Sequence, residues 1–346
     1  MTPKEVIQKV TALRPADRQP AALLSGGSWA LYTNGLNIEK ALTMPPEEVA
    51  DILLNTNISA GVDILWAAPS FGNLLIRSMG GKIKFRAKGP PDVVEALIKE
   101  PRDTEKIDVD RCVEDRSLQT MGEITRWMVR KAGNEYPVAG SIWGPFTLAG
   151  LLYGVENLMR AVYREKETVR GILDFTAALY LKCADHFYIQ NGVDIVSLAD
   201  PAASGDMISR KHFAEFVVPL YEKIYAELRK KNMITGIHIC GNIEDRLDLL
   251  AAAGIQFISL DYKVDLKKAR SVVGGRAALA GNMNPVEVML NETAGGVARA
   301  CQRCIADAGS GGGFILMPGC DIPAATPVEN VRAMVETARS CGARFP

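Results

Sequence analysis

Short apolar runs of strand length recur along the chain, and longer segments with a helical spacing of apolar residues separate them. Eight runs read as strands: 20–25, 62–68, 138–143, 194–199, 234–239, 257–262, 277–282 and 314–318. Between them, Glu156–Ile189 reads as helix with one break near Lys166. Ser209–Lys231 also reads as helix, because Phe213, Phe216, Val217, Leu220 and Ile224 keep a 3.6-residue stripe. Strand alternating with helix implies a parallel sheet, and eight such units imply an α/β fold of the (β/α)8 TIM barrel type. The segment at about 71–136 holds no clear barrel strand and contains the polar stretch Lys99–Lys106. It is expected to be an insertion or lid between strands two and three of a single-domain barrel. The glycine run Gly309–Gly313 leads into a strand and does not open a helix, so it is expected to be a helix-to-strand turn and not a phosphate cradle.

Composition narrows the partners. With 40 basic and 40 acidic residues among 346, the formal net charge is zero, which gives no field to steer a polyanion, so no nucleic-acid partner is expected. No apolar run approaches the roughly 20 residues of a membrane helix, and Met1–Val10 is amphipathic with no signal-peptide core. A cytoplasmic, non-membrane protein is therefore expected. Seven cysteines, an odd number without framework spacing, fit a reducing compartment in which thiols are available as ligands.

The densest chemical signal is His238-Ile-Cys240-Gly241 at the end of one strand run. On a strand, positions i and i+2 face the same way, so the imidazole and the thiol could share one ion. Cys320 follows the last strand run, and in a barrel of this kind chemistry sits at the C-terminal ends of strands. Two sulfurs and one nitrogen suit Zn²⁺ and leave a fourth position open. The alternative is a hydrogen-bonded core histidine beside thiols that act as small hydrophobes. Asp200, Ser204, Asn242, Asp261 and Asn282 also fall at strand ends and are expected to bind substrate or to hydrogen-bond loop backbone. Tyr262 and Asp321 share that setting. Cys301 and Cys304 have CxxC spacing but lie in a helical pattern, where i and i+3 share a packing face. His186 and His212 fall on predicted helices and read as structural or surface residues.

Five segments together resemble the uroporphyrinogen decarboxylase superfamily, and more closely its methylcobalamin:coenzyme M methyltransferase branch. They are Trp143–Ala149, Asp200–Ser209, Phe213–Pro219, His238–Gly241 and Met317–Pro323. The resemblance runs from about residue 15 to the C-terminus. It implies a (β/α)8 barrel, with zinc held by His238, Cys240 and Cys320. The implied activity is methyl transfer between a corrinoid (methylcobalamin) supplied by a partner protein and a thiol acceptor such as coenzyme M. The reverse direction, from an O-, S- or N-methyl donor to the corrinoid, uses the same ligands. The decarboxylases of the superfamily carry an arginine-rich signature after the first strand. This chain has Gly26-Gly-Ser-Trp-Ala-Leu-Tyr-Thr-Asn34 there, which argues against a uroporphyrinogen decarboxylase-like lyase. No Asp-x-His-x-x-Gly pattern of a cobalamin-binding domain occurs, so the corrinoid is expected to arrive on another chain.

Overall fold

A computed structural model describes residues 1–309 and 312–341. Seven strands form one parallel sheet: β1 (Leu65–Trp66), β4 (Val138–Trp143), β5 (Ile195–Ala199), β6 (Ile234–Ile239), β7 (Phe257–Leu260), β8 (Ala278–Met283) and β9 (Phe314–Pro318), paired in that order. Two very short strands, β2 (Ile83–Lys84) and β3 (Asp92–Val93), form a separate antiparallel pair. Helices fill the connections.

The two-residue period of the strands sorts their side chains into two cores. Leu65, Val196, Ile258, Leu279 and Leu316 join the larger cluster, which also holds the helices' apolar stripes. Ile64, Trp66, Ala139, Ile195, Phe257, Ala278, Ala280, Ile315 and Met317 form a second cluster on the other face. Val6, Ile7 and Val10 of the N-terminal helix (Pro3–Thr11) pack into that second cluster. Alternate residues thus point inward along each strand, and the N-terminal helix lies against the inward apolar layer. Further along the same inward rows stand Ser141, Ser197, His238, Ser259 and Asn282, so the inner face changes from apolar to polar towards the C-terminal strand ends.

The expected first strand is reduced to a single parallel bridge, Ala21 to Leu316 of β9. The reason is local. Pro20 has no N–H to give a ladder, and the Ala21 N–H donates to the Asp63 carboxylate at 2.9 Å. Leu316 N still donates to Pro20 O and Asp63 N to Ala21 O, so the segment has backbone partners on both sides. The other seven expected runs are strands, although the run at 62–68 pairs only at Leu65–Trp66.

The expected break near Lys166 falls at Glu165, between helices Val155–Arg164 and Lys166–Cys183. The second long segment is helical from Arg210 to Lys230, widened to a π turn at Phe213–Val217. Pro219 explains the widening, because it cannot donate to the carbonyl four residues earlier. Residues 71–136 hold helices Phe71–Ser78 and Arg116–Ala132, the β2–β3 pair and shorter turns. The expected glycine turn lies partly outside the described residues, at 310–311, while the flanking helix ends at Ala308 and β9 begins at Phe314. No helix among the described residues is long and apolar enough to cross a membrane.

Candidate metal centre

His238 is the penultimate residue of β6, Cys240 follows its end, and Cys320 lies just past β9. These two strands are separated in the sheet by β7 and β8. In a flat sheet, strands three steps apart would stand about 14 Å from each other. The Cys240 and Cys320 sulfurs are nevertheless 3.5 Å apart. Only a strongly curled sheet permits that approach. His238 Nε2 lies 3.1 Å from Cys240 Sγ, and the three ligand atoms all fall within 4.8 Å of one another.

The histidine is held from behind. His238 and Ser259 are register partners on β6 and β7, so their side chains rise on the same face. Ser259 Oγ is 3.0 Å from Nδ1, which leaves Nε2 aimed at the sulfurs. The turn after Cys240 needs a left-handed residue, supplied by Gly241 at φ 88°, where a Cβ would meet Asp206 Oδ2 at 2.5 Å. Gly241 N donates to Asp261 Oδ2 at 2.9 Å and fixes that turn to the end of β7.

The two thiols titrate as a pair. The hydrogen bond between Cys240 and Cys320, together with nearby His238, pulls the Cys320 thiol well below its ordinary value despite burial. Cys240 is pushed up by the same hydrogen bond, by burial and by the negative charge on its neighbour. Burial pushes the Asp321 carboxyl up to about 7, against a hydrogen bond from Gly26 N at 3.3 Å.

A cavity of about 170 Å³ opens onto these three candidate ligands. Its walls are Trp66, Phe71, Ile142 and Trp143, with Ser25, Ser28, Ser70 and Ser141 as hydroxyls and Asp321 as a carboxyl. None of the five expected substrate-binding residues lines it. Asp200 is fully buried and accepts from Phe146 N, Thr147 N, Thr147 Oγ1 and Tyr221 OH, which anchors the start of helix Pro145–Tyr153. Burial raises its carboxyl to about 6. Ser204 is buried next to Gly241, and its carbonyl accepts from Ile208 N at 3.0 Å. Asn242 is exposed and lines a different recess, with Asp206 and Lys268. Asp261 holds Gly241, and Asn282 Nδ2 donates to the carbonyls of Asp261 and Val264. These residues brace the loops that carry the ligands.

The serines and the two tryptophans of the cavity were not singled out by sequence reasoning. For Ser141 and Trp143 a signal existed, since both lie in phase with the inward Ala139. Ser70 gave none, because its left-handed φ of 64° is a tertiary feature. Tyr262 is exposed beside Gly319. Cys301 and Cys304 lie in helix Ala294–Ala308 against Met283 and Asn282, as packing residues. His186 contacts Gln119, and His212 contacts Ser209, both away from the thiols.

Residues 40–341 match the uroporphyrinogen decarboxylase (URO-D) family. The sequence is 29% identical to the methylcobamide:CoM methyltransferase MtbA of Methanosarcina acetivorans over 98% of both chains. It is 28% identical to the uroporphyrinogen decarboxylase of Carboxydothermus hydrogenoformans over 84% of this chain and 82% of that one. A solved structure of a methyltransferase from Methanosarcina mazei is similar with a TM-score of 0.88 and 25% identity, covering 99% of each chain.

Proposed function

The chain belongs to the uroporphyrinogen decarboxylase (URO-D) family, and from that premise we propose that it is a methyltransferase acting between a corrinoid on a partner protein and a small thiol. The observation that carries the reading is the convergence of His238, Cys240 and Cys320, brought from two distant strands to within 4.8 Å. Around a tetrahedral zinc, ligand sulfurs stand about 3.8 Å apart and a nitrogen about 3.6 Å from each sulfur. The observed 3.5 and 3.1 Å fall a few tenths of an ångström inside those values, so the donor set suits Zn²⁺ in chemistry and needs only a small opening to reach its spacing.

Bound there, zinc would lower the pKa of a substrate thiol and fix its sulfur, because three protein ligands leave one position open. The chain's own residues do the rest. Ser259 sets the imidazole orientation, and Asp261 fixes the Cys240 turn. Trp66, Phe71 and Trp143 line the space where the sulfur must sit with apolar surface. A thiolate held there would be placed to take the methyl group of the partner's methyl-corrinoid, a sulfur–carbon bond forming as the cobalt–carbon bond breaks with its electron pair left on the corrinoid, and the thiol proton would be lost when the thiol binds.

The backbone bonds of Pro20 and Ala22 to Leu316, and of Ala21 to Asp63, support closure of the curled sheet into a (β/α)8 barrel with residues 20–25 as the eighth stave. Residues at about 71–136 then form an insertion over the barrel mouth, with Pro90 from the β2–β3 turn and Phe71 in the cavity wall. The barrel is read as one domain. A tetrapyrrole decarboxylase is poorly supported by a cavity of about 170 Å³ with no arginine or lysine among its described lining residues.

The test is direct. Zinc-loaded protein mixed with methylcobalamin and a thiol is expected to convert the methyl-Co(III) spectrum to that of Co(I) or its oxidised product, and Cys320→Ala is expected not to. No spectral change with any thiol, while a methoxy or methylamine donor methylates Co(I), would move the assignment to the reverse direction.

A further inference from the structure

The cavity beside the metal ligands has an uneven chemistry. Its charged lining residues, apart from the ligands themselves, reduce to Asp321, and no lysine or arginine is among the described residues that form it. Both indoles have their N–H groups engaged outside the cavity space: Trp66 Nε1 donates to Leu23 O at 2.7 Å, and Trp143 Nε1 donates to Asn73 Oδ1. They therefore present ring surface, beside Phe71 and Ile142. The polar groups that remain are hydroxyls, and Ser70 Oγ is buried without a hydrogen-bond partner.

The cations of two recesses that share residues with this cavity are otherwise placed. Arg86 lines an adjoining recess that shares Pro90 and Trp143 with this cavity, but its Nε donates to Asp92 at 2.7 Å. Lys88 is exposed, with Nζ 4.8 Å over the Tyr32 ring, in another recess that shares only Ser28. An anion placed in the metal-side cavity would lose its water and meet no lysine or arginine among the described lining residues, beside a zinc ion whose charge two thiolate ligands would already balance. A neutral tail would instead bury its apolar surface on the rings and give or take a hydrogen bond with serine hydroxyls.

We infer that the thiol, or the methyl thioether in the reverse direction, is an uncharged molecule with a short apolar or hydroxylated tail, and not an anionic thiol such as a sulfonate. This rests on the methyltransferase reading and narrows its substrate class. The aromatic faces and Asp321 could also attract a cation. The serine hydroxyls, which both give and take a hydrogen bond, favour the neutral tail, and a cationic preference is an outcome of the test.

Four thiols of similar length separate the classes: 1-propanethiol and 2-mercaptoethanol are neutral, 2-mercaptoethanesulfonate is anionic and 2-aminoethanethiol is cationic. Their dissociation constants for zinc-loaded protein are read by tryptophan fluorescence, with Trp66 and Trp143 as the reporters, and by calorimetry. The same four are then assayed for methyl transfer from methylcobalamin. The neutral pair is expected to bind at least about tenfold tighter than the sulfonate, and Lys88→Ala is expected to leave all four constants unchanged. Tightest binding by the sulfonate, above all if lost selectively in Lys88→Ala, would overturn the inference, as would tightest binding by the ammonium thiol. The two readings fail separately. Neutral preference in binding without methyl transfer defeats the methyltransferase reading and keeps the cavity assignment. Methyl transfer with the sulfonate preferred does the reverse.

Discussion

At the scale of single residues, the site depends on side chains that are individually unremarkable and become a ligand set only through their supports. Cys301 shows the contrast: it is buried against Met283, and burial holds its thiol far above the ordinary range, as suits a packing residue. Purified protein is expected to hold one zinc per chain by elemental analysis, with the content falling sharply in Cys240→Ala and Cys320→Ala and unchanged in Cys301→Ala and Cys304→Ala. Full zinc in both of the first two variants would remove these residues from the ligand set. Ser259→Ala keeps all three ligands and removes only the partner of His238 Nδ1. Loss of such an orienting bond typically weakens metal affinity about 10- to 100-fold, so a competition titration with a chromophoric chelator should show a drop in that range.

At the scale of elements, what could be read from sequence followed the regularity of the pattern. Strands such as Ile234–Ile239 were legible because apolar runs of that length, flanked by helical spacing, have few other readings, and the two-residue period placed His238 and Cys240 on one face. The first run is reduced to a bridge because Pro20 lacks a donor and the Asp63 carboxylate takes that of Ala21, a contact across 42 residues, while Ala22 N still donates to Leu316 O. Strands of two residues, β2 and β3, are too short to show any period. The strand-end polar residues were found at the right level of the fold, but which way Asp261 or Asn282 turns depends on neighbouring loops. The cavity wall was hidden for the same reason. It is set by how closely helix Phe71–Ser78 approaches β4, and Gly72 permits that approach: a Cβ there would lie 2.3 Å from Trp143 Cδ1. Gly72→Ala is expected to push the indole into the cavity, to raise KM for the thiol several-fold and, as overpacking, to lower stability by about 1–3 kcal/mol. Zinc content should not change. An unchanged KM together with an unchanged Tm would show that Trp143 does not define this wall.

At the scale of the whole molecule, the candidate ligands lie on strands that are not neighbours. Cys240 and Cys320 lie 80 residues apart in sequence and on strands separated by two others, so the ion would bridge across the mouth of the curled sheet. The unfolded chain offers no such preformed set, so zinc held by these residues would bind the folded state in preference. Linkage gives the size of the effect: free zinc at a hundred times its dissociation constant stabilises the fold by about 2.7 kcal/mol. Spread over the unfolding entropy of a chain of 346 residues, that corresponds to a rise in Tm of about 4 °C. Removal of zinc by a chelator should lower Tm by the same amount and readdition should restore it, while Cys320→Ala should show a lower and zinc-insensitive transition. A variant that loses the third ligand yet keeps the full zinc-dependent rise would mean that the stabilising ion sits elsewhere in the molecule, and the convergence of β6 and β9 would then have to be explained by packing alone.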